Sequence, residues 1–153
     1  MSADFIPEII KDDRFPYYTN GTVVKGFGRG SKKLGVPTAN YDQKVINALP
    51  ESMKTGVYYG WAQVENSPVE MMVMSIGWNP FFQNTERSME IHIIKKYDKD
   101  FYGSNLKIKV VGFIRPELDF STIEELIITI HSDIEYAKQR LTDCNKTDTY
   151  FNS

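Results

Sequence analysis

The sequence predicts a mainly β protein, a closed antiparallel barrel of about six short strands with one amphipathic helix packed against its outside. Between residues 17 and 114, short segments are rich in aromatic and β-branched residues, or alternate between apolar and polar ones. Turn-forming residues separate these segments. One segment with helical periodicity follows them. Short strands followed by a single helix favour a barrel that the helix covers from outside.

Six segments are the strand candidates. The third, GVYYGWAQVE, is followed by the turn Asn66-Ser67-Pro68 and by a returning strand. The fifth alternates, with Met89, Ile91 and Ile93 on one face. Residues 1–16 are predicted to be an irregular lead-in, 42–55 mostly loop with room for a helical turn, and 79–87 a polar loop. The six predicted strands cover residues 17–25, 38–41, 56–65, 69–78, 88–95 and 106–114.

A helix is predicted after the last strand. Ser121 and Glu124 have the spacing of a capping box, in which each side chain satisfies a free backbone N–H at the start of a helix. Residues 142–153 are polar and are expected to fray. The apolar stripe that must pack on the barrel consists of Ile123, Ile127, Ile130, Ile134, Ala137 and Leu141.

Length and composition narrow the classes of function. A chain of 153 residues predicts one domain. The net charge of −2 and pI near 5.7 argue against a surface built to bind nucleic acid. Cys144 is the only cysteine, so an intramolecular disulfide or a thiolate metal site is excluded, and we interpret it as an incidental thiol. Neither a signal peptide nor an apolar run of membrane-spanning length is found, so a cytoplasmic location is expected.

A glycine-rich basic segment, KGFGRGSKKLGVPTAN, covers residues 25–40. Glycines let backbone amides approach a ligand closely, and neighbouring cations suit a polyphosphate. The segment matches neither the Walker A pattern nor the dinucleotide-binding pattern. A flexible hairpin with solvated charges is the alternative interpretation. Its glycines and cations are Gly26, Gly28, Gly30, Gly35, Arg29, Lys32 and Lys33.

Two further features suggest chemistry. In an extended segment after Pro37, Thr38 and Asn40 project to the same side, and their oxygens suit Mg²⁺ that draws its other ligands from phosphate and water. A strand start at Thr38 and a turn at Asn40 are the alternative. Glu90 lies mid-strand, where it is either solvated or directed at a reacting hydroxyl as a general base. His92 and His131 are interpreted as structural.

Five blocks of this sequence closely resemble the riboflavin kinase (flavokinase) family. They are GFGRGSKKLGVPTAN, GVYYGWAQV, MSIGWNPFFQNTERSMEIHII, DFYG and GFIRPELDFSTIEELI. The blocks lie between residues 26 and 127, and the resemblance covers roughly residues 17 to 141. The resemblance implies a six-stranded antiparallel barrel with a C-terminal helix, and transfer of the γ-phosphoryl group of ATP to the 5′-hydroxyl of riboflavin, giving FMN and ADP. It also implies a monofunctional enzyme of the eukaryotic type, with a single domain over residues 1–153 and its core from about 17 to 141.

The resemblance further implies a role for each matching residue. Glu90 corresponds to the catalytic carboxylate, and Thr38 and Asn40 to the pair that binds Mg²⁺, or another divalent cation such as Zn²⁺. Lys95 departs from the family, since close relatives often carry histidine there. The other positions implied for ATP are Gly26, Gly28, Lys32, Ile93, Lys95 and Tyr102. Those implied for the flavin are Arg115, Leu118 and Phe120.

Two other classes of function compete with the kinase. One is a flavin-binding barrel without catalysis, which the presence of Glu90, Thr38 and Asn40 disfavours. The other is a small barrel that binds single-stranded nucleic acid, which the acidic balance disfavours. The expected partners are therefore riboflavin, ATP, FMN and ADP, without nucleic acid or membrane, and the chain is expected to be a monomer.

Overall fold

The computed structural model describes residues 13–24, 38–78, 86–95, 101–142 and 150–151. Within them the strands are β1 (Tyr17–Val24), β2 (Ala39–Tyr41), β3 (Gly56–Val64), β4 (Glu70–Trp78), β5 (Arg87–Ile93) and β6 (Asn105–Arg115). The described helices are α1 (Gln43–Asn47) and α2 (Ile123–Thr142). The strands form a closed barrel in the order β1-β2-β5-β4-β3-β6, and every neighbouring pair is antiparallel. The predicted fold class is confirmed.

Alternation along β5 and β6 separates an inner face from an outer one, whereas β3 is buried at almost every position. In β5, Met89, Ile91 and Ile93 point inward and are buried, while the residues between them are partly exposed. The side chains that close the barrel interior are each expected to stabilise the fold by about 1.5–3 kcal/mol through burial. The interior side chains contributed by β1, β3, β4 and β6 include Val23, Tyr58, Met72, Met74, Ile76, Leu106, Ile108 and Val110.

Helix α1 occupies part of the segment predicted to be mostly loop. Asp42 precedes it and accepts a hydrogen bond from the backbone N–H of Lys44 at 2.9 Å, which satisfies one of the free donors of the first turn. The room left for one helical turn was therefore justified. No helix among the described residues is both long and apolar enough to cross a membrane.

The start of α2 differs from the prediction by one residue. The hydroxyl of Thr122 accepts the backbone N–H of Glu125 at 3.1 Å, and the Glu125 carboxylate accepts the backbone N–H of Ser121 at 3.1 Å. The predicted capping box of Ser121 and Glu124 is wrong, because the first helical residue is Ile123 and the cap is the residue before it. Around the start of α2 the sequence contains the capping-box spacing twice, as Ser121 with Glu124 and as Thr122 with Glu125, and the local pattern is the same for both.

We expect Thr122→Ala to lower the free energy of unfolding by about 1 kcal/mol, because the backbone N–H of Glu125 loses its acceptor. Urea unfolding followed by circular dichroism measures this change. Ser121→Ala is the matched control, since the backbone N–H that bonds Glu125 remains and only the hydroxyl contact at 2.9 Å is lost. A larger loss in Ser121→Ala than in Thr122→Ala would contradict this assignment of the cap.

Two further expectations near the end of the chain need correction. Ile123 is 62% exposed and lines a shallow surface depression instead of packing on the barrel. The region after Leu141 is not wholly frayed: the Tyr150 hydroxyl donates to the carbonyl of Thr19 at 2.6 Å. Phe151 is buried in one cluster with Trp61 of β3 and with Ala137 and Leu141 near the end of α2. Cys144 lies outside the described residues.

Candidate active site

The strand register brings polar residues from distant parts of the chain into one row on the outer wall of the barrel. Asn40 of β2 pairs with Glu90 of β5, and Glu90 pairs with Ser75 of β4. The row continues through Val57 of β3 to Arg115 of β6. Directly paired residues project from the same face of a sheet. Three strand-to-strand steps of about 4.8 Å therefore separate Glu90 from Arg115.

A cavity of about 230 Å³ lies between this outer wall and α2. Its polar part is lined by Thr38, Ser75, Glu90 and His92. Its apolar part is lined by Leu118, Phe120, Leu126, Ile130 and Ile134. A cavity that is polar on one side and apolar on the other suits a ligand with the same division, such as a flat ring system carrying a hydroxylated chain.

Thr38 and Glu90 meet at the polar part of the cavity. The Thr38 hydroxyl donates to Glu90 Oε1 at 2.8 Å, although 52 residues separate them in the chain. Because the hydroxyl proton points to the carboxylate, the lone pairs of Thr38 Oγ1 remain available to a cation. Asn40 lies opposite Glu90 by register but does not line the cavity.

These donors fit a hard divalent cation. Hydroxyl, amide and carboxylate oxygens are the ligands that Mg²⁺ prefers, and Mg²⁺ usually takes further ligands from phosphate and water. Within the described residues, no group of three or more histidine, cysteine, aspartate or glutamate side chains could hold a metal. A cation beside Thr38 would therefore depend on ligands that a substrate brings.

Arg115 and Asp133 form a bidentate ion pair at the apolar side of the cavity. Arg115 Nε donates to Asp133 Oδ1 at 3.0 Å, and Nη2 donates to Oδ2 at 2.8 Å. Both residues line the cavity. Asp133 was not predicted as a site residue, and the signal that could have revealed it is an acidic residue between Ile130 and Ile134 of the apolar stripe.

The residues implied for the flavin all lie at this cavity. Arg115, Leu118 and Phe120 line it together with Glu90 and Thr38. The Arg115 guanidinium carbon lies 5.9 Å from the centre of the Phe120 ring. Leu118 is 52% exposed, so its side chain is accessible to a ligand. The structure thus brings these three predicted residues and the predicted base into a single site.

Of the residues implied for the nucleotide, Ile93, Lys95 and Tyr102 are described, and they lie at one end of the barrel, where β1 and β5 end and β2 and β6 begin. The backbone N–H of Gly103, next to the exposed Tyr102, donates to the carbonyl of Val23 at 2.8 Å. Lys95 follows the end of β5, with its Nζ 3.7 Å from Glu70 Oε2.

Ile93 differs from the other two nucleotide-side residues, because its side chain belongs to the barrel core and only its main chain can face a ligand. Gly26, Gly28 and Lys32 lie outside the described residues, in the part of the chain that joins β1 to β2.

The strand that carries Asn40 is held to the barrel by the next residue. Tyr41 points inward, and its hydroxyl donates to the carbonyl of Leu106 at 2.6 Å. Burial raises the pKa of Tyr41 far above its ordinary value, so the phenol keeps its proton and remains a donor. This contact fixes the short strand β2 beside β1 and β5.

Comparisons with known proteins agree on one family. The family model described as Flavokinase: Riboflavin kinase matches residues 13–141. The riboflavin kinase of Homo sapiens is 53% identical over 126 residues, which cover 82% of this chain and 81% of the relative. The bifunctional riboflavin kinase/FMN phosphatase of Arabidopsis thaliana is 48% identical over 82% of this chain and 33% of its own length. The crystal structure of riboflavin kinase from Trypanosoma brucei superposes with a TM-score of 0.67 at 26% identity, covering 90% of this chain and 94% of the other. With this match and the barrel described above, the chain belongs to the riboflavin kinase family.

Proposed function

We propose that the chain joins riboflavin and ATP on the outer wall of the barrel, with Glu90 at the point of phosphoryl transfer. The reaction moves the γ-phosphoryl group of ATP to the 5′-hydroxyl of riboflavin and yields FMN and ADP. The observation that carries the proposal is the 2.8 Å hydrogen bond between Thr38 and Glu90, which brings a potential cation ligand and a potential base together. An inactive flavin-binding module would have no need for this pairing.

Glu90 has the role of general base in this proposal. Its carboxylate accepts a hydrogen bond from the riboflavin 5′-hydroxyl and then takes its proton. The hydroxyl oxygen forms the new bond to the γ-phosphorus as the bond between that phosphorus and the ADP oxygen breaks. The hydrogen bond from Thr38 to Oε1 restricts the orientation of the carboxylate.

Thr38 and Asn40 would hold the divalent cation, which we propose to be Mg²⁺, with Zn²⁺ as another possible occupant. When bound, such a cation supplies positive charge that neutralises the phosphate oxygens. The observations in support are the hard oxygen donors and the position of Asn40 beside Glu90 on the same face.

ATP is proposed to bind at the end of the barrel where β1 ends and β2 begins. Lys95 and Tyr102 lie at this end, and residues 25–37 join the two strands there. In the proposal, Gly26, Gly28 and Lys32 contact the phosphates. The path from this end along β5 leads through His92 to Glu90, both on the outer face. The γ-phosphoryl group would therefore approach the polar part of the cavity.

Riboflavin is proposed to fill the cavity lengthwise. Its ring system would lie against the apolar side chains of α2 and against Leu118 and Phe120, and its sugar-alcohol chain would extend toward Glu90. The three strand steps between Arg115 and Glu90 leave room for such an extended ligand. The apolar walls also keep water away from the hydroxyl, so ATP hydrolysis is disfavoured.

Phe120→Ala tests this placement of riboflavin. We expect the KM for riboflavin to rise by about tenfold through loss of ring contact, and the KM for ATP to stay unchanged, because Phe120 lies at the flavin side only. FMN formation from ATP, Mg²⁺ and riboflavin, followed by chromatography, measures both constants. Ile128→Ala is the matched control, since this exposed residue of α2 does not line the cavity. An unchanged KM for riboflavin in Phe120→Ala would refute the acceptor site.

For the chain as a whole, we propose a single riboflavin kinase domain over residues 1–153, with its core between about residues 17 and 141. The match of the family model over residues 13–141 supports this extent. We also propose a cytoplasmic monomer without nucleic-acid or membrane partners; the net charge of −2 argues against a surface that binds nucleic acid.

A further inference from the structure

The ion pair between Arg115 and Asp133 is unusually well buried for two charged side chains. The side chain of Asp133 is 7% exposed and that of Arg115 is 18% exposed. Removing two charges from water is costly, and a buried ion pair often adds nothing to stability compared with apolar residues of similar size. The placement of such a pair at the wall of the proposed flavin site therefore calls for a reason other than stability.

Besides Asp133, the Arg115 guanidinium contacts the segment that follows it in the chain. Nη1 donates to the carbonyl of Pro116 at 3.2 Å, and the guanidinium faces the ring of Phe120. Of the five N–H groups of Arg115, three bond within the described residues, two of them to Asp133. The guanidinium is planar, and hydrogen bonds at both Nε and Nη2 restrict it to a single orientation.

The segment that Arg115 contacts has no regular secondary structure to hold it. Residues 116–120 are neither helical nor part of a strand. They nevertheless supply Leu118 and Phe120 to the cavity wall. Side-chain contacts therefore help to hold these residues in place. Two of these contacts come from the Arg115 guanidinium, one to the carbonyl of Pro116 and one to the ring of Phe120. Asp133, on α2, thereby couples the helix to this segment.

We propose that Asp133 is a positioning residue for riboflavin. It fixes the Arg115 guanidinium, and through it residues 116–120, so that the flavin side of the cavity is formed before the substrate enters. This inference rests on the proposed function, in which Arg115, Leu118 and Phe120 contact the flavin. Asp133 acts on the acceptor side alone, since the proposed nucleotide side lies at the barrel end where β5 ends, beyond Glu90, and Arg115 is three strand steps away from Glu90.

A purely structural role predicts a different outcome. If Asp133 only anchored α2, its loss would lower the melting temperature and leave the affinities of the folded enzyme unchanged. The helix has a separate anchor, because Ala137 and Leu141 are buried against Trp61 and Phe151. A variant at Asp133 is therefore expected to keep α2 in place and to change the cavity wall.

Asp133→Asn is the first test, measured with the full chain well below its melting temperature. The asparagine keeps one acceptor oxygen, but its amide group opposes a guanidinium N–H that needs an acceptor. We expect the KM for riboflavin to rise by about tenfold, the size of one charged hydrogen bond, with the KM for ATP unchanged. Glu135→Gln is the matched control, because this carboxylate on the same helix is exposed, does not line the cavity, and forms an ion pair with Lys138 at 3.6 Å.

Two further variants keep the test decisive. If Asp133→Asn does not fold, Asp133→Glu retains the charge but moves the carboxylate by one methylene, and the same selective rise in the KM for riboflavin is expected. Equal KM values in the variants and the unsubstituted chain, or a parallel rise in both constants, would overturn the positioning role. Arg115→Lys separates the two proposals: if it leaves the KM for riboflavin unchanged, the acceptor site itself is misplaced. If it raises that constant while the Asp133 variants do not, only the role of Asp133 is wrong.

Discussion

Replacement of Glu90 by glutamine is expected to lower kcat by about 10²–10⁴, the usual contribution of a general base. Glutamine has nearly the same shape, and its side-chain oxygen can still accept the Thr38 hydroxyl that now bonds Glu90 Oε1 at 2.8 Å. The fold and the KM values for riboflavin and ATP should therefore change little. Only the ability to take the 5′-hydroxyl proton is lost. Steady-state FMN formation gives kcat, and circular dichroism confirms that the variant is folded.

The matched control for this prediction is Glu124→Gln. Glu124 is an exposed carboxylate in the first turn of α2 and does not line the cavity, so its replacement should leave kcat unchanged. If Glu90→Gln formed FMN at the rate of the unsubstituted chain, the base would have to be another group. If instead the KM for riboflavin rose steeply with an unchanged kcat, Glu90 would bind the substrate without accepting its proton.

The second large effect is expected for the double variant Thr38→Ala/Asn40→Ala. Its half-saturating Mg²⁺ concentration should rise by about ten- to hundredfold, the range seen when groups supporting a metal site are removed. The hydroxyl and the amide are the cation ligands that the chain is proposed to supply, and phosphate and water would supply the others. Mg²⁺ titrations of FMN formation at saturating riboflavin and ATP measure this shift.

Two variants show whether such a shift is specific. Thr38→Ser keeps the hydroxyl and should keep a Mg²⁺ requirement close to that of the unsubstituted chain. Thr22→Ala removes an exposed hydroxyl from β1 and should not alter the titration. An unchanged Mg²⁺ titration in the double variant would remove Thr38 and Asn40 as cation ligands and leave the role of Glu90 to be judged separately.

The barrel could be predicted from the sequence because its strands either alternate, as β5 and β6 do, or are rich in aromatic and β-branched residues, as β3 is. Each inward residue of β5 is apolar and buried, and the predicted strand over 88–95 differs from the observed Arg87–Ile93 by only one residue at its start and two at its end. Alternation is a local property of the chain and needs no knowledge of the neighbouring strands. The same is true of the helix, whose cap was nevertheless misplaced by one residue because two overlapping capping patterns are present.

The sequence pattern could not predict which residue each polar side chain contacts. The pairing of Glu90 with Asn40 and Ser75 depends on the register between strands far apart in the chain. The ion pair of Arg115 with Asp133 depends on how α2 lies across the barrel. Such contacts are set by tertiary packing, and no periodicity within one segment encodes them. The resemblance to a family named Glu90, Thr38 and Arg115, but it did not name Asp133.

The closed wall of the barrel separates positions at which substitutions are expected to affect stability from positions at which they are expected to affect substrate preference. Along β5, neighbouring positions face opposite sides: Met89 and Ile91 fill the interior, while Glu90 and His92 border the cavity. We therefore expect substitutions in the interior to change thermal stability, and substitutions at the cavity to change which acceptor is bound. In the proposed site, α2 and residues 116–120 form the opposite wall of the cavity. Acceptor preference would then be expected to evolve there, or to be engineered, without repacking of the barrel.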